Sequence, residues 1–581
     1  MHQILGLNLG HNSSLVLIES DLQIIRLEEE KLSQKKGSYG FPKLSFEYAQ
    51  KFLENSNDID VIIGHNNLRE VFQSHRLLLK YCRIEKFTEY FWLVLDLYAI
   101  IARSSKVYDK SIKRHFENNF KRKIKQPCNI RYIDHHTSHA YSAVYDSGYS
   151  RCLVMTEDGK GDDFSGKVFA YENNSLVEIA SKNYIESYGV IYSAATKALG
   201  FKALRHEGKI TGLAAYGNPE SLCKLIHNEF NSLVNDRFEN LKNYHPSGLT
   251  FRARFQARLV RPSDQIYSNL MHYWVNWFRD KLVSGFSKED IAASVQKFLE
   301  DRVLTDLSLL RVDFDKLALA GGVFANVKLN QKIWETDRFT NIFVQPAMDD
   351  AGTALGAAAL FSQKLNKGGG LKDIVYLGTI QENQSLAMLR NNFTEINLGS
   401  NKYELIADFI EAGKIVGVFN SRTEWGPRAL GNRSILASAF LPEISNELNK
   451  RLKRNDFMPF APIVRDSDAG LIFEKFSKGL DAAKFMTVTL SVKKIFEKQI
   501  RSVIHIDGTA RPQVLYRKDN ECIYKILDEI AIRKGIGIVL NTSFNMHEFP
   551  ILNDFGTALN NLKIGSIDLL YVNDKILISR S

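Results

Sequence analysis

Two histidines spaced four residues apart, His135 and His139 in the segment HHTSHA, are the residue types best suited to holding a metal ion. On a helix, residues i and i+4 share a face, so both imidazoles could reach one ion. Two imidazoles alone make a weak site, which carboxylates usually complete. Asp158 and Asp350 are candidate carboxylate ligands, and the alternative is a pair of ordinary helix histidines. Further candidates that spacing does not exclude are Asp134, His136 and Asp349.

An arginine-rich segment, SRTEWGPRALGNRS, directly follows an apparent buried strand. Its arginines are Arg422, Arg428 and Arg433. Planar guanidinium groups bind oxyanions through paired hydrogen bonds, so the segment predicts an anion pocket. Salt bridges with Glu424 and its neighbours are the alternative. Further positive charge in the same half of the chain comes from Lys453, Arg454 and Arg511.

Three glycine-rich turns lie beside apparent strands, at residues 10–14, 159–166 and 321–322. Glycine lets backbone N–H groups approach a phosphate closely, and a following helix adds its positive N-terminal end. Neither a GxxxxGK(S/T) nor a GxGxxG pattern is present, so each turn alone is also explained as an ordinary turn. Polar side chains in NTSFN, residues 541–545, suit either a nucleotide or local turn hydrogen bonds.

The elements that would position these residues indicate an α/β fold, because strand, glycine turn and helix recur. Hairpins are predicted over residues 4–19 and 152–171, with a mostly helical region at 45–145 between them. Further predicted elements are the strands 317–320, 413–419 (with its turn) and 536–540, a helix after Gly322, and the helix 403–412.

The chain has 581 residues, too many for a single ordinary core, so two or three domains are expected. The glycine triplet at 368–370 is the predicted boundary between domains 1–366 and 371–581, with a helical insertion at about 68–126. The five cysteines form no CxxC pair, which suggests neither a structural zinc site nor a disulfide framework and favours a reducing cytoplasm. We expect no membrane attachment, since the most apolar stretch, 91–102, is too short to span a bilayer.

Basic residues cluster at 103–125 and 252–261, within a chain of formal net charge +10. Such clusters suit the phosphates of a nucleic acid or a nucleotide-like acceptor. The alternative is a solvated helix face, the commoner origin of charge runs.

The ordered motifs resemble the NodU/CmcH family of O-carbamoyltransferases over nearly the whole chain. The matching segments include GLNLGHNSS, LEEEKLSQKK, HHTSHAYSA, TEDGKGD, EGKITGLAAYG, AGGVFANVKLN, DDAGTALGAA, EWGPRALGNRSIL, DGTARPQ and LNTSFN. The resemblance implies an actin/Hsp70-like (Kae1-like) two-lobed domain followed by a YrdC-like twisted α/β domain. It also implies that the second domain makes carbamoyl-adenylate from carbamoyl phosphate and ATP, and that the first transfers the carbamoyl group.

The resemblance further assigns roles to individual positions. The implied metal ligands, with Fe²⁺ expected and Mg²⁺ accompanying ATP, are His135, His139, Asp158 and Asp350. The implied catalytic residues are His11, a candidate base, with Arg428 and Arg433. The implied adenylate and carbamoyl phosphate contacts are Gly321, Gly322, Asn326, Lys453, Arg454, Arg511, Asn541, Ser543 and Asn545. The chain departs from the family pattern at Lys31, Met458 and Glu548-Phe549.

The expected function is therefore ATP-dependent carbamoylation of a hydroxyl on a small molecule, by a monomer or homodimer. Carbamoylation of a hydroxymethylated base in nucleic acid is the alternative, and the basic clusters are the feature that would favour it. A hydrogenase-maturation carbamoyltransferase would carry an acylphosphatase domain and paired CxxC motifs, which this sequence lacks. A non-catalytic nucleotide sensor would not need both the histidine pair and the arginines.

Overall fold

The computed structural model describes residues 2–19, 22–53, 58–65, most of 117–124, 128–235, 262–362, 374–380, 393–454 and 460–581. The predicted insertion at 68–126, both basic clusters and the glycine triplet lie wholly or mostly outside these residues. The first sheet comprises β1 (His2–Asn8), β2 (Ser14–Glu19), β3 (Leu22–Glu28), β4 (Asp58–Ile63) and β5 (Cys128–Tyr132), ordered β3-β2-β1-β4-β5. In it, β1 pairs antiparallel with β2 and parallel with β4.

A second five-stranded sheet repeats this mixture of a hairpin and parallel strands. It comprises β6 (Cys152–Gly161), β7 (Phe164–Glu172), β8 (Ser175–Asn183), β9 (Lys316–Ala320) and β10 (Asn341–Val344), ordered β10-β9-β6-β7-β8. The strand β6 pairs antiparallel with β7 and parallel with β9. Its central strands are buried on both faces, as their near-continuous apolar sequences require.

Ten helices accompany these sheets in the described part of the first 362 residues. They are α1 (Glu29–Ser33), α2 (Lys43–Leu53), α3 (His135–Ser147), α4 (Tyr188–Ala198), α5 (Glu207–Leu213), α6 (Glu220–Asn235), α7 (Pro262–Phe278), α8 (Lys288–Leu309), α9 (Val327–Trp334) and α10 (Gly352–Ala359). Short 3₁₀ helices cover Tyr184–Glu186, Ala214–Tyr216 and Gly322–Ala325, and Arg279–Val283 is a π-helical turn.

Helices α3 and α10 pack against each other between the two sheets, α10 on the first and α3 on the second. Glycines allow this close approach. A Cβ added at Gly356 in α10 would lie 1.6 Å from the backbone oxygen of Ser138 in α3, and one at Gly6 in β1 would lie 1.9 Å from that of Ala354. The helix carrying both candidate histidines is therefore fixed by backbone contact.

The C-terminal half forms a mixed eight-stranded sheet. Its strands are β11 (Phe393–Ile396), β12 (Val416–Phe419), β13 (Arg433–Ser438), β14 (Ala461–Arg465), β17 (Gln513–Leu515), β18 (Ile538–Ser543), β19 (Leu569–Val572) and β20 (Ile576–Arg580), ordered β11-β20-β19-β12-β13-β18-β14-β17, while β15 (Leu490–Ser491) pairs with β16 (Thr509–Ala510). The helices are α11 (Lys402–Glu411), α12 (Ile444–Leu452), α13 (Asp466–Ile472), α14 (Lys494–Glu497), α15 (Glu521–Lys534) and α16 (Phe555–Lys563), with 3₁₀ turns at Asp481–Phe485 and Arg501–Val503.

One buried apolar cluster runs from β6 and β9 to β13 and β18, so the sheets of the two halves share a continuous core. In the ranges given above, every helix is too short or too polar to cross a bilayer.

The predicted α/β class is confirmed, and both predicted hairpins are present as β1–β2 and β6–β7. The histidine segment is helical as expected. The mostly helical interpretation of 45–145 is wrong at β4 and β5, which extend the first sheet in parallel with β1. Both are short strands that pair only with distant parts of the chain, so no local turn signal marks them.

Candidate functional site

Four side chains from both sheet layers converge between α3 and α10. Asp158 Oδ2, on β6, lies 3.1 Å from His139 Nε2 and 3.5 Å from His135 Nε2. Asp350 Oδ1, just before α10, lies 3.7 Å from His135 Nε2 and 3.9 Å from His139 Nε2. Bonds of about 2.0–2.2 Å around one ion separate neighbouring ligand atoms by roughly 3.0–3.5 Å, so these spacings suit a shared metal ion.

The polar atoms of this group fit a cation, because they are buried and lack other partners. Both Nε2 atoms and Asp158 Oδ2 are inaccessible to solvent and have no hydrogen bond of acceptable geometry. Burial favours neutral imidazole, yet Asp158 and Asp350 outweigh it and raise the pKa of His135 to about 10. The histidines in turn lower the pKa of Asp158 far below its ordinary value. Without a metal, protons on the histidines therefore balance the carboxylate charge that a divalent ion would balance.

Two of the other candidate ligands are engaged elsewhere. The ring nitrogens of His136 lie 3.0 Å from Thr156 Oγ1 and 3.1 Å from the carbonyl oxygen of Phe164. Burial, with the charge of neighbouring His135, lowers the pKa of His136 to about 3. Asp134 caps α3, where its carboxylate accepts from the backbone N–H of Thr137 at 2.9 Å. His136 therefore has no ring nitrogen free for the ion, and Asp134 uses one carboxylate oxygen as the cap of α3.

The remaining candidate, Asp349, connects the N-terminal loop to this group. Its Oδ2 accepts from Asn12 Nδ2 at 2.8 Å, and its Oδ1 accepts from the backbone N–H of Ala351 at 3.0 Å. His11 is partly buried in the same loop and forms a β-bridge with Tyr39. The N-terminal loop is therefore tied to the residue beside Asp350.

The glycine turn after β9 directly contacts one of the candidate metal ligands. The backbone N–H of Gly322 donates to Asp158 Oδ1 at 2.8 Å, while Oδ2 of the same carboxylate faces the histidines. Gly321 has a φ of 103°, and a Cβ there would lie 2.3 Å from the backbone oxygen of Glu157, so the turn requires glycine. One carboxylate thus joins the predicted nucleotide turn to the histidine pair.

Asn326 ends the same turn with its side chain committed to the protein. It caps α9 by accepting from the backbone N–H of Leu329 at 3.0 Å. Its amide also donates to Gln296 Oε1 at 2.7 Å and accepts from Gln296 Nε2 at 3.1 Å. Through these contacts, Asn326 stabilises the conformation of the turn.

Three arginines from separate segments of the C-terminal half form a cationic pocket next to this turn. Arg428 Nη2 donates to the carbonyl oxygen of Ala325 at 3.4 Å, and Arg454 Nη1 donates to Thr542 Oγ1 at 2.6 Å. Burial and the positive charges of Arg428 and Arg454 lower the pKa of Arg511 well below its ordinary value. The influence of Arg428 and Arg454 on Arg511 indicates that the three guanidinium groups lie near one another.

No carboxylate in the described part of the chain forms an ion pair with any of these three arginines. Burial lowers the pKa of Arg428 to about 10, against the opposing influence of Asp349, and burial does the same for Arg454. All three arginines are partly buried, and a partly desolvated cation without an ion-paired carboxylate is costly, so their arrangement suits an anion with several charged oxygens.

Two family models match this sequence. The one described as Carbamoyltransferase N-terminus matches residues 3–359, and the one described as Carbamoyltransferase C-terminus matches residues 407–580. The chain belongs to the carbamoyltransferase family. Uncharacterized protein MJ1051 of Methanocaldococcus jannaschii is 30% identical over 99% of both chains. Nodulation protein NolNO of Sinorhizobium fredii is 28% identical over 98% of this chain and 79% of its own. Full-length HypF aligns with 12% identity over 64% of this chain and 56% of its own at a TM-score of 0.30, too low to bear on the argument.

Within this carbamoyltransferase, Arg433 lies in a different environment from the three pocket arginines. It is fully buried, and its guanidinium donates to the carbonyl oxygens of Asn420 at 2.6 Å, Asn432 at 3.0 Å and Ser421 at 3.1 Å. Its side chain also lies over the ring of Phe419. Arg433 therefore holds the loop after β12, and the structure gives no support to the interpretation that it contacts substrate.

The other residues predicted to contact carbamoyl phosphate also lie in different environments. Asn541 Nδ2 donates to the carbonyl oxygen of Ala429, beside Arg428, at 2.9 Å. Asn545 Nδ2 donates to the carbonyl oxygens of Met546 and Phe549, at 2.9 and 2.8 Å. Ser543 is partly exposed at the end of β18, and Lys453 is an exposed residue in left-handed conformation that ends α12. Asn541 is thus the residue of this set whose side chain directly stabilises the segment that carries Arg428.

Sequence reasoning missed a buried connection between the two halves. Lys31 Nζ, in α1, donates to the carbonyl oxygens of Glu424 and Gly426 at 2.7 Å each and to Glu28 Oε1 at 2.8 Å. Glu28 Oε1 also accepts from the backbone N–H of Gly426 at 2.6 Å. Lys31 attracted notice only as a departure from the family pattern. Nothing in its spacing indicates a contact almost four hundred residues away.

Proposed function

We propose that this carbamoyltransferase uses ATP and carbamoyl phosphate to form carbamoyl-adenylate, and then carbamoylates a hydroxyl group of a small molecule. The cationic pocket of Arg428, Arg454 and Arg511 is the observation that carries the proposal. A polyanion such as carbamoyl phosphate or the ATP triphosphate would supply the negative charge that balances these partly buried arginines.

The position of the pocket supports a two-step reaction. Arg428 contacts Ala325 at the end of the turn in which the N–H of Gly322 donates to Asp158. An adenylate bound along this turn would present its phosphate to the arginines and its carbamoyl group towards the metal ligands. The second step therefore requires no release of the reactive intermediate into water.

The residues have distinct parts in this chemistry. Carbamoyl phosphate, ATP and one water would yield carbamoyl-adenylate, pyrophosphate and phosphate, and the acceptor hydroxyl would then displace AMP. The three arginines would bind the phosphates and stabilise the negative charge that develops on the leaving groups. The backbone of the 321–322 turn would lie along the adenylate, and His11 would accept the proton of the acceptor hydroxyl.

The four-residue histidine and carboxylate group would hold a divalent ion, which we propose to be Fe²⁺. When bound, such an ion supplies a Lewis acid beside the carbamoyl group. We extend the proposal to a Kae1-like first domain, 1–366, and a YrdC-like second domain, 371–581. Mg²⁺ would accompany ATP, and the enzyme would act in the cytoplasm as a monomer or homodimer.

The first test is exchange of labelled pyrophosphate into ATP that depends on carbamoyl phosphate. The wild-type enzyme is expected to catalyse it, and Arg428→Ala to lose it, because the variant removes a central anion contact. Arg517→Ala is the matched control, since Arg517 is exposed and paired with Asp528. Absence of exchange in the wild type, or wild-type exchange in Arg428→Ala, would contradict the proposal.

The acceptor is identified by mass spectrometry. Candidate hydroxyl compounds and hydroxymethylated nucleic acids are incubated with enzyme, ATP and carbamoyl phosphate, and searched for the mass of one added carbamoyl group. Addition to a nucleic acid alone would replace the small-molecule acceptor with the alternative one.

A further inference from the structure

A second group of metal-binding side chains lies on two packed helices that contribute nothing to the site above. Cys223 and His227 are on α6, and Asp301 is on α8. One ligand atom from each of the three lies within 4.8 Å of the others. The group shares no residue with the histidine and carboxylate cluster between α3 and α10.

The geometry of this group suits a tetrahedral ion. Cys223 and His227 are four residues apart, so they share one face of α6. Asp301 Oδ2 lies 3.5 Å from His227 Nε2 and 3.9 Å from Cys223 Sγ. Zinc bonds of about 2.0–2.3 Å separate neighbouring ligand atoms by roughly 3.3–3.6 Å, close to the two distances from Asp301 Oδ2. All three ligand atoms lie within 4.8 Å of one another and would draw together around an ion.

The surroundings prepare each ligand atom for a cation. Asp301 pairs with Lys297 through Oδ1, which leaves Oδ2 directed at the other two residues. The ring of His227 packs against that of Phe298 at 4.9 Å between centroids, which fixes its orientation.

We propose that Cys223, His227 and Asp301 bind Zn²⁺, with water as the fourth ligand, and that the ion fastens α6 to α8. A thiolate combined with an imidazole favours Zn²⁺ over Mg²⁺ or Ca²⁺. His227 and Asp301 are partly exposed, so an ion and its water reach the site from solvent.

Metal binding here has a defined proton balance. Burial, together with Asp301, raises the pKa of Cys223 to about 11, so the metal-free residue is a thiol. Binding of Zn²⁺ forms the zinc–sulfur bond and releases the thiol proton to solvent. The absence of CxxC pairs from the sequence does not bear on a site built from one cysteine and two other residue types.

Cobalt titration of the metal-free, full-length protein tests this proposal. Thiolate bound to Co²⁺ gives a near-ultraviolet charge-transfer absorption, whereas the histidine and carboxylate group contains no sulfur. Wild type and His139→Ala are both expected to show this absorption. It should saturate when one equivalent of Co²⁺ occupies the thiolate site. Cys223→Ser should lose it, and His227→Ala should need more Co²⁺ to reach it.

Two further measurements complete the test. Cys522→Ser is the matched control, since Cys522 is a partly buried cysteine of the C-terminal half, and it should keep the absorption. Zn²⁺ should abolish the absorption by displacing Co²⁺, and should raise the Tm of His139→Ala but not that of the double variant with Cys223→Ser. No absorption in the wild type, or persistence of it in Cys223→Ser, would overturn the proposal whatever the outcome of the carbamoyl transfer assays.

Discussion

Three buried ligand atoms without another hydrogen-bond partner, on His135, His139 and Asp158, distinguish the candidate metal group from the other polar residues around α3. His136 and Asp134 are immediate neighbours, yet both ring nitrogens of His136 and one carboxylate oxygen of Asp134 are already bonded within the protein. At the residue scale, a candidate metal ligand is therefore distinguished from a supporting residue by a polar atom that has no other hydrogen bond. Residue type and spacing alone did not separate them.

Replacing one ligand should separate metal binding from anion binding. We expect His139→Ala to lower the affinity for the divalent ion by at least about 10–100-fold, the usual cost of removing even an outer-shell partner. Pyrophosphate binding at the arginines should be retained. Metal content after chelation and reloading, with calorimetric titration of pyrophosphate, measures both. His2→Ala, an exposed histidine, is the control, and unchanged metal affinity of His139→Ala would refute the ligand assignment.

Two arginines of the C-terminal half should respond in opposite ways to replacement by methionine. Arg511→Met should weaken pyrophosphate binding by about 10–100-fold, because a charged hydrogen bond contributes roughly 1.5–3 kcal/mol. The variant should be at least as stable as the wild type, since it removes repulsion with Arg428 and Arg454.

Arg433→Met, in contrast, should lower the free energy of unfolding by at least about 1–3 kcal/mol, because it leaves buried carbonyl oxygens without donors. Urea unfolding and calorimetric titration of the two variants, side by side, check the contrast. Loss of stability in Arg511→Met with normal pyrophosphate binding would reverse the roles given to these residues.

At the element scale, α3 is held in place by its contact with α10, and Gly356 permits that contact. Gly356→Ala should destabilise the protein by about 1–3 kcal/mol, the usual cost of overpacking, and should weaken metal binding because α3 carries both histidines. Thermal unfolding and metal titration measure the two effects. Gly208→Ala is the control, because a Cβ there meets nothing within 4 Å. Equal effects of the two substitutions would contradict the role of Gly356.

Elements with a strong local pattern could be predicted, and those defined by distant pairing could not. The hairpin β1–β2 and the helix α3 follow from alternation and from histidine spacing on one face. In contrast, β4 depends on pairing with β1, and β5 on pairing with β4, which no local residue indicates. The same reason separates the candidate ligands His135 and His139, indicated by their spacing, from Arg433, whose carbonyl partners depend on the path of a loop.

At the scale of the whole molecule, the halves are joined by a core and by a buried polar contact that lies next to Arg428 in the sequence. Lys31 and Glu28 of the first half bind the backbone of residues 424–426, and Arg428 follows two residues later. A Cβ at Gly426 would lie 2.4 Å from the backbone oxygen of Pro346, so the two segments are in close backbone contact. The position of Arg428 therefore depends on both halves.

This dependence predicts how substitutions of Lys31 should act. Lys31→Met leaves the buried Glu28 carboxylate unpaired, so we expect it to lower the free energy of unfolding by about 3–5 kcal/mol. The double variant with Glu28→Gln should recover part of that loss, since no buried charge remains. Lys31→Arg keeps the charge and should retain stability.

In the folded fraction of Lys31→Met, the KM for carbamoyl phosphate should rise while metal content stays unchanged, because the contact positions Arg428 and not the histidines. Urea unfolding, steady-state kinetics and metal analysis distinguish these outcomes, and wild-type stability together with a wild-type KM in Lys31→Met would show that the halves position Arg428 without this contact.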